Sequence, residues 1–133
     1  MKRSLAAYIL FILTIGACTD SGEKQADKSG KEIFFEEEFH NYGEIVENSN
    51  GSYGFIFKNV SDEPIVINRV RSSCGCTIPE WPREPIEPGG GDEILVRYNT
   101  ELVGPFQKSI YVYSSADNSP VKLQIKGKVI KEE

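Results

Sequence analysis

The sequence predicts an all-β fold, and two observations carry that prediction. From residue 32 to about residue 131, apolar residues recur at every second position, which is the period of a strand with one buried face. Clusters of turn-forming residues separate these segments at the spacing of hairpins, and no stretch has helical spacing. Six or seven short strands over about one hundred residues indicate an immunoglobulin-like antiparallel β-sandwich of about seven strands, with a small barrel as the alternative.

Each strand is marked by its own alternation of apolar and polar residues. The alternating segments, in chain order, are residues 33–39, 53–57, 65–67, 94–98, 105–114 and 121–129. Turn-forming residues lie between them, at residues 48–51, 61–64, 88–91 and 116–120. In the last two segments one face is apolar, and the opposite face carries Tyr111, Tyr113 and the lysines at positions 122, 126 and 128.

Two clusters between the strands have structural interpretations. Trp81 lies between Pro79 and Pro82, which remove ladder donors, so we expect it to end a strand and plug one end of the sandwich. An exposed aromatic that stacks on a ligand is the alternative. Residues 36–38 are three glutamates, but consecutive strand residues point to opposite faces and do not converge on one cation. We expect a solvated strand end there.

The amino-terminal segment resembles the signal of a bacterial lipoprotein. Lys2 and Arg3 precede an apolar run over residues 5–15 that is too short to span a bilayer, and Gly16 and Ala17 lead into Cys18. The resemblance implies removal of residues 1–17 and covalent lipid on the Cys18 thiol, with the membrane as a partner through that lipid. An ordinary secretory signal that happens to end near a cysteine is the alternative.

The rest of the chain divides into a tether and one domain. Residues 18–31 contain the lipidated cysteine and a segment without bulky apolar side chains, so we expect a flexible tether. Residues 32–133 are enough for one core. The formal net charge of −5 disfavours nucleic acid and anionic lipid headgroups as partners.

The remaining chemistry is concentrated in Cys74-Gly75-Cys76, which has three alternative fates outside the cytoplasm. A local disulfide is compatible with the turn that Gly75 allows, and it would be readily reduced. Paired thiolates also suit copper or zinc, which would need further ligands such as His40. The third fate is two unlinked cysteines packed as small apolar residues.

The residue types in this chain also disfavour catalysis. His40 is the only imidazole available to activate a nucleophile, and its place beside Tyr42 at a strand end is typical of a hydrogen-bonding residue. Residues 89–91 are three glycines between two strands, which indicates a turn and not a phosphate loop. We therefore predict no enzyme, no small-molecule substrate, and no cofactor beyond the Cys18 lipid.

The chain resembles the domain-of-unknown-function 1573 family of extracytoplasmic bacterial proteins, many of them lipoproteins of the Bacteroidetes kind. The matching stretches are residues 39–43, 57–59, 64–67, 73–77, 86–89, 104–106 and 123–127. Cys-Gly-Cys-Thr at residues 74–77 is the most specific of them. Asn41 and Tyr42 stand where the family usually has Asp and Phe. The resemblance implies an immunoglobulin-like sandwich, similar to single domains of ciliary and sperm proteins, without an established activity.

These observations lead to two functional hypotheses. The first is a non-catalytic interaction module that is tethered to the cell envelope and binds another envelope protein. The second is thiol redox chemistry or copper handling by Cys74 and Cys76. Thr19, not Asp, follows the anchor cysteine, which by analogy with enterobacteria favours the outer membrane.

Overall fold

Eight β-strands make up the regular structure of residues 30–133, the part of the chain that the computed structural model describes. In chain order they are β1 (Ile33–Phe35), β2 (Phe39–Val46), β3 (Ser52–Asn59), β4 (Ile67–Ser72), β5 (Thr77–Glu80), β6 (Gly91–Tyr98), β7 (Gly104–Ser114) and β8 (Val121–Ile130). Over these residues no helix is long and apolar enough to cross a membrane. The signal segment, Cys18 and most of the tether lie outside the described residues.

The strands form two four-stranded sheets that pack face to face. Sheet A has the order β1-β3-β6-β5, and sheet B has the order β2-β8-β7-β4. All pairings are antiparallel except that of β2 with β8, which is parallel. The all-β sandwich predicted from the sequence is therefore confirmed, with eight strands and one parallel pair.

The parallel pair arises because the first predicted strand is divided between the two sheets. Residues 33–39 alternate like one strand, but β1 pairs with β3 in sheet A and β2 pairs with β8 in sheet B. The three glutamates at positions 36–38 make the crossing, where the Glu36 amide donates to the Ile56 carbonyl and the Glu38 carbonyl accepts from the Gln124 amide. The chain changes sheets without reversing direction, so β2 runs parallel to its new neighbour.

The core lies between the sheets and is built from the alternating residues. Phe55, Phe57 and Ile94 of sheet A and Ile110 and Leu123 of sheet B are essentially inaccessible to solvent. Burying a side chain of this size contributes about 1.5–3 kcal/mol each, so the period-two pattern is also the main source of stability. Every strand except β2 contributes at least one buried apolar or polar residue to this layer.

Short strand β5 is one that the sequence did not predict. Pro79 lies within it and pairs with Val96, which is tolerated because β5 is an edge strand with one side of its backbone unpaired. Trp81 follows directly and packs against the core while the Arg83 guanidinium lies 3.9 Å from the centre of its ring. The tryptophan is therefore partly buried, between the core and the Arg83 guanidinium.

Candidate functional site

The Cys74-Gly75-Cys76 segment lies in the loop that joins the edge strand of sheet B, β4, to the edge strand of sheet A, β5. The two cysteines form a disulfide, with Cα atoms 5.4 Å apart. The Ser72 hydroxyl lies 2.6 Å from the Cys74 carbonyl oxygen and 2.8 Å from that of Thr77, which it bridges across the ring. The Cys76 carbonyl accepts from the Asn99 amide at 2.8 Å. The disulfide ring is thus held on both sides by hydrogen bonds.

This disulfide is better suited to thiol–disulfide exchange than to stabilising the fold. A bridge across one residue closes a very short loop, so it restricts the unfolded chain little. Cys74 and Cys76 are both partly exposed, and Cys76 also packs against the core. Nothing lies within 4 Å of the place where a side chain on Gly75 would begin. Because both cysteines are partly exposed, an external thiolate would approach them from solvent.

His40 is not brought to the cysteines. It pairs with Ile125 of β8, which pairs with Lys108 of β7, and the extension of β4 would bring Cys74 beside Lys108. His40 and Cys74 thus lie at opposite edges of sheet B, separated by three strand spacings or about 14 Å. Within residues 30–133 no three His, Cys, Asp or Glu side chains are grouped so as to hold a metal ion. Any metal ligand beyond the pair would have to come from elsewhere.

His40 instead belongs to an aromatic cluster that bridges the two sheets. Its ring stacks on Tyr53 of sheet A with centroids 3.5 Å apart and meets the Tyr42 ring edge-on at 4.6 Å. Desolvation lowers the pKa of His40, with Glu37 opposing the shift, so the ring is neutral near pH 7. Burial raises the pKa of Tyr42 to about 12. This cluster joins the two sheets at the edge of the sandwich.

Glu37, one of the three crossing glutamates, also serves this cluster. It accepts a hydrogen bond of 2.8 Å from the Tyr53 hydroxyl, and that bond is the main reason why the pKa of Tyr53 is raised. The Tyr42 hydroxyl donates to the Gly51 carbonyl at 2.8 Å. Both tyrosine hydroxyls therefore act as neutral donors that tie the crossing segment and the β2–β3 turn to the strands.

A second candidate site, not predicted from the sequence, is an apolar line on the solvent-facing side of sheet A. Phe34 in β1, Ile56 in β3, Leu95 in β6 and Ile78 in β5 all point away from the core. By register each is a diagonal neighbour of the next, so together they cross all four strands. We call these four residues the outer stripe. Three of them remain well exposed, at 51% for Phe34, 42% for Ile56 and 60% for Ile78.

Charged residues flank the outer stripe on both sides. On the neighbouring strand, Lys58 lies opposite Phe34 and Glu93 lies opposite Ile56. Beside Ile78, an exposed ion pair of 3.6 Å joins Arg97 to Glu80. An open depression of about 410 Å³ lies beside the stripe at Ile56 and is also lined by Lys58 and Glu93. The face is broad, with an apolar centre and charges of both signs around it.

The sequence does contain a signal for the outer stripe. Three strands include apolar triplets, at residues 33–35, 55–57 and 94–96, and the middle residue of each triplet interrupts the alternation. Since neighbours in a strand point to opposite faces, a triplet places one apolar side chain on the solvent side. The three middle residues are Phe34, Ile56 and Leu95, which all belong to the stripe.

These two face-to-face sheets, the partly exposed disulfide loop and the apolar outer face of sheet A are those of a small immunoglobulin-like β-sandwich module. The chain belongs to the family described as protein of unknown function (DUF1573), whose family model matches residues 33–129. The family predicted from the Cys-Gly-Cys-Thr segment and its flanking motifs is therefore confirmed. No curated protein matches the sequence.

Similar solved structures share the fold at low sequence identity. The ASH/PapD-like domain 7 of human CEP192 has a TM-score of 0.67 at 8% identity, covering 79% of this chain and 89% of that chain. A protein of unknown function from Porphyromonas gingivalis W83 has a TM-score of 0.67 at 12% identity over 74% of this chain, which spans 46% of that protein. The VesB protease of Vibrio cholerae has a TM-score of 0.56 at 9% identity over 77% of this chain, which spans 32% of that chain.

Proposed function

We propose that this protein is a non-catalytic interaction module of the cell envelope, anchored through lipid on Cys18 and binding another envelope protein through the outer stripe. The observation that carries the proposal is the line of four apolar side chains on the solvent side of a sheet whose inner side already covers the core. Three of them, Phe34, Ile56 and Ile78, remain well exposed, and removing them from water would be favourable.

The form of the surface favours a protein as the occupant. Protein interfaces combine an apolar centre with a polar rim, as the outer stripe does with Lys58, Glu93 and the Arg97–Glu80 pair. Small-molecule sites are concave and bury most of the ligand, whereas this face is shallow. Exposed charges of both signs at the rim would orient a partner that carries the complementary pattern.

Anchoring at the outer membrane is the second part of the proposal, and the amino-terminal sequence supports it. The apolar run that ends in Gly16, Ala17 and Cys18 has the form of a lipoprotein signal, and Thr19 follows the cysteine. Several acyl chains on one cysteine would hold the protein firmly, at about 0.8 kcal/mol for each buried methylene. A tethered module needs only modest affinity, because the membrane confines it together with its partner.

Site-specific photocrosslinking in the native host tests the partner directly. A photoreactive amino acid at Ile78 or at Ile56, both in the outer stripe, should yield a discrete crosslinked protein. The matched control is Gln107, which is also an exposed strand residue but lies on the outer side of sheet B. The proposal would be contradicted if neither stripe position gave a crosslinked protein, or if all three positions gave the same products. Mass spectrometry of the mature amino terminus separately tests acylation of Cys18.

The disulfide between Cys74 and Cys76 favours a second candidate, exchange with an external dithiol. A thiolate of the donor attacks one sulfur, a second donor thiol resolves the mixed disulfide, and Cys74 and Cys76 leave as thiols while the donor is oxidised to a disulfide. The reduced pair would offer two thiolates to copper(I), with the remaining ligands supplied from outside residues 30–133. Thiol trapping in intact cells is the test: a pair that stays fully oxidised with and without a mild dithiol would exclude this role.

A further inference from the structure

The outer side of sheet B concentrates cations on one face of an acidic protein. Arg69 and Arg71 of β4 and the lysines at positions 122, 126 and 128 of β8 all point away from the core. We call these five residues the basic face. Arg71, Tyr111 and Lys122 form one row across three neighbouring strands. The formal net charge of the chain is −5, so this distribution is the opposite of what the total charge suggests.

These cations are available to an external anion. The ion pairs among residues 30–133 join Lys31 to Glu63 and Arg97 to Glu80, and neither includes a member of the basic face. Among the strand residues, Glu44 of edge strand β2 is in register with Lys128 and places one carboxylate on this side of the sheet. The Arg69 guanidinium lies 4.5 Å from the centre of the Tyr113 ring, a cation–π contact on the same face.

The chain enters the sandwich beside one end of the basic face. The Lys31 amide donates to the Asp117 carboxylate at 3.0 Å, and the Asn118 side chain donates to the Ile33 carbonyl at 2.8 Å. The chain therefore enters beside the β7–β8 turn, next to the end of the basic face that carries Tyr113 and Lys122. From Cys18 to Gly30 the chain reaches at most about 40 Å, so a lipid on Cys18 would keep the domain within that distance of the bilayer.

We propose that the basic face lies against anionic phospholipid headgroups of the membrane that holds the Cys18 lipid. The inference rests on the proposed anchoring and adds an orientation to it. Juxtamembrane Lys and Arg residues are attracted to an anionic surface, and tyrosines such as Tyr111 suit the interface between headgroups and water. The outer stripe is on the other side of the sandwich, so this orientation directs it away from the membrane toward a partner.

Lysine reactivity in the native lipoprotein tests this orientation. The full acylated chain is reconstituted into vesicles of phosphatidylcholine alone or with phosphatidylglycerol, and acetylation of each lysine by a water-soluble reagent is followed by mass spectrometry. The lysines at positions 122, 126 and 128 should react at least about fivefold more slowly on the anionic vesicles, and about 0.5 M salt should restore their rates. Lys58, on the outer side of sheet A, should react equally on both and is the control within the molecule.

A pair of matched variants checks that the cations act together. The double variant R69Q/R71Q removes two charges from the basic face, and protection of Lys122 should fall to less than half. The double variant R83Q/R97Q removes two charges elsewhere and should leave that protection unchanged. All four arginines are exposed, so both variants should fold. Equal lysine rates on neutral and anionic vesicles, or equal effects of the two variants, would overturn the orientation.

The outcomes separate this inference from the proposed function. A chain that fails to float with the vesicles has no acyl anchor, which contradicts the proposed anchoring. A chain that floats with both kinds of vesicle but shows no lysine protection keeps its anchor and overturns only the orientation. Protection that requires an added acidic protein, and not anionic lipid, would also overturn it.

Discussion

Asn59 shows at the scale of a residue how this small domain fixes a loop. Its side chain is 1% exposed, and its amide donates to the carbonyls of Glu63 and Ile86 at 2.7 and 2.9 Å. Its side-chain oxygen accepts from the Ser61 amide at 3.0 Å. One buried amide therefore satisfies backbone groups of both the turn after β3 and the segment before β6.

The first prediction follows from those hydrogen bonds. The substitution Asn59→Ala should lower the free energy of unfolding by about 2–4 kcal/mol, because it removes the hydrogen bonds that this buried side chain makes with the backbone of Ser61, Glu63 and Ile86. Asn68→Ala, at an exposed position of β4, should change it by less than about 0.5 kcal/mol. Urea unfolding followed by tryptophan fluorescence measures both. Equal effects of the two substitutions would mean that the Asn59 network is not formed.

The second prediction concerns His40. Because its folded pKa is lowered from 6.5, the unfolded chain binds the proton more readily, so stability is complete above the unfolded pKa and declines as the pH falls through the folded pKa. The urea midpoint should therefore decrease from about pH 7.5 to about pH 5. His40→Gln should flatten this dependence relative to the unaltered chain. An unchanged slope in the variant would show that other groups cause it.

At the scale of the strand, alternation specified which residues face the core but not which sheet each strand joins. Phe55 and Phe57 are buried as the period of two predicts, whereas residues 33–39 look continuous and yet divide between the sheets. Strand β5 was missed because Pro79 argues against a strand, except at an edge. These outcomes depend on pairing between segments far apart in the chain, which a local pattern does not contain.

The third prediction tests the two faces of β3. Phe55→Ala should lower the free energy of unfolding by about 3–5 kcal/mol, because it opens a cavity in the core. Ile56→Thr, one residue further along, should change it by less than about 1 kcal/mol, because its side chain faces solvent and threonine suits a strand. The same urea measurement compares them. A large loss of stability in Ile56→Thr would mean that the outer stripe supports the fold and is not a free surface.

The fourth prediction concerns the loop between β4 and β5. Replacing both Cys74 and Cys76 by serine should lower the free energy of unfolding by less than about 2 kcal/mol, because the loop that the disulfide closes is very short. Calorimetric unfolding of the double variant measures this difference. A decrease in the free energy of unfolding as large as that of Phe55→Ala would mean that the disulfide mainly stabilises the fold, which would contradict a role in exchange.

At the scale of the whole molecule, the candidate surfaces were harder to predict than the fold. The Cys74 and Cys76 pair could be identified from composition, but its distance from His40 depends on the strand order of sheet B. The net charge of −5 does not show how the charges are distributed over the surface. The cations of the basic face come together only when the strands of sheet B pair. The apolar triplets were visible in the sequence, but only the register aligns Phe34, Ile56 and Leu95 with Ile78.

Native gel electrophoresis shows whether the outer stripe binds an envelope protein, when it is run on the acylated protein after mild detergent extraction from its own membranes. We expect a complex larger than the monomer. Ile56→Glu and Ile78→Glu should each return the protein to the monomer position, while Gln107→Glu should leave the complex intact. A protein that migrates as a monomer throughout, or a complex that persists in both stripe variants, would contradict the claim.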